Sequence, residues 1–268
     1  MTYEALDIEP AEITVSAGNV ELAADLSLPD RATGLVIFAH GSGSSRQSQR
    51  NRRVAGVLNR GAIATILIDL LTEDEETVDL RTADLRFDIN LLVRRLVLIT
   101  DWVGRRAGLK GLGIGYFGAS TGAAAALAAA AERPHAVRAV VSRGGRPDLA
   151  GPALGRVLAP CLFIVGGDDS VVLALNRSAI AELRPATERR LEIIPGATHL
   201  FEEPGALDRV ADLARDWFQQ RLLAGSAGLE AILTLAPRTH SQHGYGVGTG
   251  GSRRRRKPAV SIASSIES

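Results

Sequence analysis

Residues 118–122 read G-A-S-T-G and fit the pattern G-x-S-x-G, which places a serine hydroxyl between small neighbours. The motif directly follows an apolar run, 112–117, and directly precedes an alanine-rich segment, 121–132. A serine at such a strand–turn–helix junction projects its hydroxyl from the sheet edge, where amides at the helix N-terminus face a developing oxyanion. The pattern predicts that Ser120 is a nucleophile. The alternative is an incidental serine in a glycine-rich turn.

A serine hydroxyl needs a general base, and His199 is the best placed histidine. It follows the last predicted strand, 191–194, and loops after parallel strands lie at the same sheet edge as Ser120. The alternative for His199 is an ordinary loop histidine. The remaining histidines lie in a loop near the N-terminus, in a loop at the opposite sheet edge and in the C-terminal region: His40, His135, His240 and His243.

The base in turn needs a carboxylate that orients it. The apolar run 162–165 is followed by two adjacent aspartates, Asp168 and Asp169, and either could serve. Asp69, which follows an earlier strand, is a more remote candidate. Whichever aspartate is used after strand 162–165, the residues run along the chain in the order serine, aspartate, histidine.

A loop that could stabilise an oxyanion follows the apolar run 35–39 and reads H-G-S-G over residues 40–43. The expected donors are the backbone N–H groups of Thr121, next to the nucleophile, and of Ser42. We expect His40 to brace this loop through hydrogen bonds and not to take part in the chemistry.

Buried strands alternate with helices along the chain, which predicts an α/β fold with a doubly wound, mostly parallel sheet. Continuous apolar runs indicate strands buried on both faces. The predicted strands are 12–15, 20–28, 35–39, 63–68, 112–117, 139–141, 162–165 and 191–194. The predicted helices are 51–60, 88–106, 121–132, 173–183 and 207–222.

Composition divides the chain into a folded domain, 1–225, and a tail, 226–268. The tail is rich in Gly, Arg and Ser and is predicted to be disordered, because it buries too little apolar surface to offset the entropy of ordering. Its basic run, 253–257, supplies five positive charges to a net charge of only +1. The folded domain is therefore mildly acidic, which argues against a nucleic-acid partner for it.

The chain also lacks features of exported and membrane proteins. Its single cysteine, Cys161, excludes an intramolecular disulfide, and residues 1–10 show no basic, apolar leader. The most apolar stretch, 91–99, is interrupted by two arginines and is too short to cross a bilayer. These observations predict a cytoplasmic protein without a membrane partner.

From about residue 20 to residue 222 the chain resembles the α/β-hydrolase superfamily, and within it the dienelactone hydrolase-like branch. The resemblance rests on four segments: 40–46 (HGSGSSR), 118–122 (GASTG), 142–148 (SRGGRPD) and 196–205 (GATHLFEEPG). It assigns the orienting acid to Asp169, because residues 166–172 match the pattern G-G-x-D-x-x-V of this fold. It also implies that no metal or cofactor is needed.

Dienelactone hydrolases use a cysteine nucleophile, whereas this chain has Ser120. The resemblance therefore implies a serine carboxylesterase acting on small esters through an acyl-enzyme. An amidase, peptidase or acyltransferase with the same triad is the alternative, as is a non-catalytic binding protein with this fold. Bacterial proteins of this kind are sometimes fused to a phosphoribosyltransferase domain, and none is recognised here. The oligomeric state is not predicted.

The substrate site is expected to be shallow and open. Only residues 143–160 separate two predicted strands where related proteins insert a cap domain, and this stretch is too short for one. Arg143 and Arg146 lie at the catalytic edge, where they could bind a substrate carboxylate. The alternative is that they form ion pairs with Asp148, Asp169 or nearby acids and hold the loop.

Overall fold

Within residues 8–223, eight strands form one sheet. The computed structural model describes residues 8–223, so the predicted tail lies outside the described residues. The strands are β1 Ala11–Ala17, β2 Val20–Ser27, β3 Gly34–Ala39, β4 Ile63–Ile68, β5 Gly113–Ala119, β6 Val137–Arg143, β7 Cys161–Gly166 and β8 Arg189–Ile194. The helices are α1 Gln49–Arg60, α2 Glu73–Thr82, α3 Ile89–Arg105, α4 Thr121–Glu132, α5 Ser170–Glu182 and α6 Ala206–Leu222.

The sheet has the strand order β1-β2-β4-β3-β5-β6-β7-β8 and is mostly parallel, which confirms the predicted fold class. β1 and β2 form an antiparallel hairpin, and β2 pairs antiparallel with β4. All other neighbours run parallel. β3, β4, β5 and β7 are buried along their whole length, as expected for strands covered on both faces.

Helices cover both faces of this sheet. α1 and α6 pack together on one face, over a buried cluster that includes Phe38, Phe117 and Phe218. α3 and α4 pack on the opposite face, where the short side chains of α4 allow the helix to lie close to the strands. Gly115 serves the same purpose on the first face, because a Cβ atom there would lie 2.6 Å from the Phe218 ring.

The parallel pairing aligns the carboxyl ends of six strands, β3 to β8. Ala39 pairs with Gly118, and Ala119 pairs with Arg143. β7 and β8 end beside them in parallel register. The loops that follow these strands therefore share one edge of the sheet, where ligands bind in open α/β folds.

One helix, α2, was not predicted from the sequence. It has ten residues, of which only Asp79 is buried, so it lacks the apolar stripe that identifies a helix. Its start is nevertheless encoded locally. Thr72 and Glu75 form a capping box, in which the Thr72 hydroxyl accepts from the Glu75 N–H and the Glu75 carboxylate accepts from the Thr72 N–H.

The connection between β6 and β7 confirms that this fold has no cap domain there. Residues 147–156 form short 3-10 turns that kink at Gly151, and they pack against α4 and α5. Within residues 8–223, no helix is both long and apolar enough to cross a membrane.

Replacing Phe218 with alanine tests the packing of α6 on the sheet. Phe218 is completely buried against Gly115, so Phe218→Ala should lower the free energy of unfolding by about 3–5 kcal/mol. Val171→Ala is the control, since Val171 is 71% exposed on α5 and should change stability by less than about 0.5 kcal/mol. Urea denaturation measures both. Equal losses would contradict the packing described here.

Candidate active site

Ser120 occupies a strained turn between β5 and α4. Its backbone angles are φ 49° and ψ −122°, a region that costs a non-glycine residue about 1–3 kcal/mol. The turn is so tight that its two glycines have no room for a side chain. A Cβ on Gly122 would lie 2.2 Å from the Ala39 carbonyl oxygen, and a Cβ on Gly118 would lie 2.4 Å from the Ala123 Cα. The G-x-S-x-G segment therefore adopts the strand–turn–helix geometry that its sequence predicts.

His199 and Asp169 are joined by a hydrogen bond. The His199 Nδ1 and the Asp169 Oδ2 are 2.7 Å apart, which places the proton on Nδ1 and leaves Nε2 as an acceptor. The other oxygen, Oδ1, accepts from the Val172 N–H at the start of α5, so the carboxylate is fixed from both sides. Asp168 makes no contact of this kind with His199, and its backbone N–H donates to the Ala197 carbonyl.

Ser120 and His199 meet at the same edge of the sheet through β6. The Arg143 carbonyl accepts from the Ser120 N–H, and a Cβ on the next residue, Gly144, would lie 3.6 Å from the His199 Cε1. Within residues 8–223, no hydrogen bond joins the Ser120 hydroxyl to the Nε2 of His199. Such bonds are often long without substrate and tighten when it binds.

The two residues expected to donate to the oxyanion, Ser42 and Thr121, are in contact, and the Ser42 amide is hydrogen-bonded to the Thr121 side chain. The Ser42 N–H donates to the Thr121 Oγ1 at 3.0 Å, so the Thr121 hydroxyl is the current acceptor of this amide. Thr121 is buried and begins α4, which directs its backbone N–H out of the helix N-terminus. This side-chain bond was not foreseen from the sequence.

His40 braces the loop that carries Ser42. Its Nε2 accepts from the Leu70 N–H at 3.2 Å, so Nδ1 carries the proton and donates to the Gly41 carbonyl at 3.0 Å. Both ring nitrogens are therefore committed to the backbone, as expected for a bracing residue.

Arg46 anchors the far end of the same loop, a role that the sequence reasoning missed. Its N–H donates to the Asp69 carboxylate at 2.6 Å, and its guanidinium lies 3.3 Å from the Asp25 carboxylate. Asp25 is buried and also accepts from Arg52 at 3.0 Å. Asp69 is thus held by Arg46, whereas Asp169 is the aspartate bonded to His199. A basic residue shortly after the H-G-S-G segment was the available signal.

Arg143 and Arg146 have different surroundings. Arg146 forms a two-pronged ion pair with Asp148, at 2.9 and 2.7 Å, and this pairing raises the pKa of Arg146. Arg143 pairs with no carboxylate in the described part of the chain. Its guanidinium lies 3.4 Å from the Asn51 amide oxygen and 5.8 Å from the centre of the Phe201 ring.

Two openings adjoin the loop that carries Ser42. A small cavity of about 80 Å³ is lined by the loop, by Thr121 and by side chains of the α2 region, including Leu71, Leu80 and Arg86. A larger open cleft of about 750 Å³ lies between the start of α1 and the residues that follow His199. Within residues 8–223, no group of three or more His, Cys, Asp or Glu side chains is placed to hold a metal ion.

Solved structures with the same fold include several hydrolases. A dienelactone hydrolase from Anabaena variabilis ATCC 29413 is 58% identical, covers 81% of this chain and 99% of its own, and superposes with a TM-score of 0.79. Est1E from Butyrivibrio proteoclasticus is 15% identical, covers 78% of this chain and 98% of its own, and has a TM-score of 0.65. A dienelactone hydrolase-like promiscuous phosphotriesterase from metagenomic libraries is 18% identical, covers 82% and 100%, and has a TM-score of 0.64.

Curated relatives occur in two strains of Mycobacterium tuberculosis and bear the name "Putative phosphoribosyl transferase". They are 55% identical over 211 residues, which is 79% of this chain but 46% of theirs. The chain therefore spans about half the length of the curated relatives it matches. No family model matches the chain.

The sheet order and the elbow at Ser120 define the class of protein, which has the α/β-hydrolase fold. The identity of 58% over nearly all of the Anabaena protein shows that this chain belongs to the dienelactone hydrolase-like branch of that superfamily. These relationships support a hydrolase.

Replacing Arg46 with methionine tests the anchor of the Ser42 loop. Arg46→Met leaves the buried Asp25 with Arg52 alone, so the free energy of unfolding should fall by about 2 kcal/mol or more. Arg53→Met is the control, because Arg53 and Asp208 form an exposed pair worth less than about 1 kcal/mol. Urea denaturation measures both, and a loss for Arg46→Met no larger than the control would rule out the anchoring role.

Proposed function

We propose that the protein is a serine hydrolase that cleaves small carboxylic esters through an acyl-enzyme. The observation that carries this proposal is the hydrogen bond between Asp169 and His199 at the sheet edge where Ser120 occupies its strained turn. A base that is held by a carboxylate and lies beside a serine hydroxyl is the arrangement that activates a serine.

In the proposed reaction, the His199 Nε2 accepts the Ser120 proton while Oγ attacks the ester carbonyl carbon. The tetrahedral intermediate then collapses, the carbonyl–alkoxy bond breaks, and His199 returns the proton to the departing alcohol. A water molecule activated by the same base attacks the acyl-serine, which releases the acid and restores the Ser120 hydroxyl. Asp169 keeps the imidazole in the tautomer that this cycle needs.

The oxyanion would be bound by the N–H groups of Thr121 and Ser42. The Ser42 amide now donates to the Thr121 hydroxyl, so a substrate oxygen must replace that hydroxyl as its acceptor. Each donor of this kind typically contributes about 3 kcal/mol of transition-state stabilisation.

The size of the cavity beside these donors supports small esters. About 80 Å³ accommodates only a short acyl chain, and the absence of a cap at residues 144–160 leaves the other side of the site open. A cavity of this size favours acetyl and propionyl groups over long acyl chains.

Cys161 does not substitute for the cysteine nucleophile of dienelactone hydrolases. It lies fully buried in β7, where burial raises the pKa of its thiol to about 12. A buried, protonated thiol is a poor nucleophile. Ser120 is therefore the nucleophile that we assign.

We do not assign phosphoribosyl transfer to these residues. The name of the mycobacterial relatives refers to proteins about twice as long as the matched region, and the matched region includes the hydrolase elbow and its histidine loop. None of the contacts described above requires phosphoribosyl transfer to explain it.

The adjacent aspartates provide a matched test of the proposed triad. Asp169→Asn should lower kcat for p-nitrophenyl acetate by about 10³- to 10⁴-fold, because the amide no longer holds the imidazole in the reactive tautomer. Asp168→Asn should retain kcat within about threefold, since Asp168 makes no side-chain contact with His199. Steady-state hydrolysis of the acetyl to octanoyl esters measures both effects, with acetyl preferred. Equal losses in the two variants would contradict the assignment, as would wild-type inactivity on the whole series.

A further inference from the structure

Arg143 is a buried cation that lacks a carboxylate partner within residues 8–223. Arg143 is only 6% exposed, and its Nε has no hydrogen-bond partner. The one polar contact of its guanidinium within residues 8–223 joins Nη2 to the neutral Asn51 amide oxygen at 3.4 Å. Arg95 is equally buried, but its guanidinium lies 2.6 Å from the Glu75 carboxylate. Buried charges are normally paired, because an unpaired one loses its hydration without compensation.

The charge of a second arginine acts on Arg143 and increases this imbalance. Burial, with the nearby charge of Arg50, lowers the pKa of Arg143 to about 10. The Arg50 Nε is also buried without a partner, and the Arg50 Nη1 lies 3.4 Å from the exposed carboxylate of Glu202. The two positive charges thus repel each other, and an anion bound at Arg50 would offset this repulsion.

These groups adjoin the open cleft of about 750 Å³. Arg50 and Phe201 line the cleft, and Phe201 is the ring over which the Arg143 guanidinium lies. The twelve-residue helix α1 begins at the same wall with no acidic residue in its first turn, so its positive N-terminal end faces the cleft.

Three carboxylates also line this cleft, and each has a partner for at least one oxygen, while the Glu203 Oε2 has none. Glu202 contacts Arg50, and Glu203 accepts from the Thr198 hydroxyl at 2.7 Å. Asp208 pairs with Arg53 at 2.6 Å. The contact between Arg50 and Glu202 is the longest of these, at 3.4 Å, and the Glu202 side chain is 65% exposed, so a ligand anion can replace Glu202 at Arg50.

The cleft adjoins the loop that carries His199. Residues 201–205 of this loop line the cleft, and His199 is the group that returns the proton to the leaving alcohol in the proposed reaction. We propose that Arg50, supported by the buried charge of Arg143, binds an anionic carboxylate or phosphate group on the alcohol part of the ester. This inference rests on the proposed function for its place in the reaction.

Three acetate esters with matched leaving groups test the proposal. Phenyl acetate is neutral, whereas para-acetoxybenzoate carries a carboxylate and para-acetoxyphenyl phosphate carries a phosphate. The measured quantity is the ratio of kcat/KM for each anionic ester to kcat/KM for phenyl acetate, corrected for the intrinsic reactivity of the esters. In wild type this ratio should exceed one for at least one anionic ester. The anion that gives the larger ratio identifies the group that the cleft binds.

Arg50→Gln should lower this ratio by at least about tenfold, because it removes a charge-assisted hydrogen bond. Arg53→Gln is the matched control, since Arg53 lines the same cleft but is already paired with Asp208, and it should keep the ratio within about twofold. Equal reductions in the two variants would overturn the proposal in favour of a general charge effect. So would the absence of any wild-type preference for the anionic esters.

A binding measurement separates this proposal from the proposed function. If wild type hydrolyses none of the three esters, the proposed function fails, and calorimetric titration with inorganic phosphate then decides the anion site alone. Saturable binding that weakens at least about tenfold in Arg50→Gln and not in Arg53→Gln upholds the site. Absent binding, or equal binding by wild type and both variants, overturns it.

Discussion

The tight turn at Ser120 is the constraint on which the rest of the site depends. The residue is held at φ 49° because β5 must end and α4 begin within a space where the neighbouring backbone leaves no room for a Cβ on Gly118 or Gly122. The close contact between Gly122 and the Ala39 carbonyl also brings the loop after β3 against the start of α4. The same glycine therefore fixes both the serine and the loop that would bind the oxyanion.

Around this turn, the site is assembled from loops that are each anchored to the protein backbone or to a buried charge. Both ring nitrogens of His40 form hydrogen bonds, one with the Gly41 carbonyl and one with the Leu70 N–H. Arg46 anchors the end of that loop through hydrogen bonds to Asp25 and Asp69. Asp169 is bonded to both His199 and the start of α5. Within residues 8–223, the Nε2 of His199 and the Ser120 hydroxyl have no such partner, and these are the groups that the proposed chemistry uses.

Much of the fold follows from local sequence patterns. Apolar runs and the alanine-rich segment give β4 and α4 with their observed bounds, because full burial and high helix propensity act along consecutive residues. The polar helix α2 leaves no such periodic signal, because Asp79 is its one buried residue and is held by Arg86, seven positions further along the chain. Its capping box alone was the sequence signal.

The site was predictable in its residue types but not in its pairings. The motifs place Ser120 and His199 at one edge, whereas the choice between Asp168 and Asp169 depends on which carboxylate the loop turns toward the imidazole. The bond between the Ser42 amide and the Thr121 hydroxyl joins residues 79 positions apart, so no local pattern reports it. The unpaired state of Arg143 likewise follows from folding, because Asp148 pairs with Arg146 instead.

The most direct measurement of the central claim is active-site titration with a fluorophosphonate, which phosphonylates an activated serine. Intact-mass spectrometry of the wild-type protein should show one adduct per chain, and peptide mapping should place it on Ser120. Ser120→Ala should then remain unlabelled under the same conditions, although Ser42, Ser44 and Ser45 lie in the adjacent loop. Absence of labelling in wild type, or equal labelling of Ser120→Ala, would contradict the account.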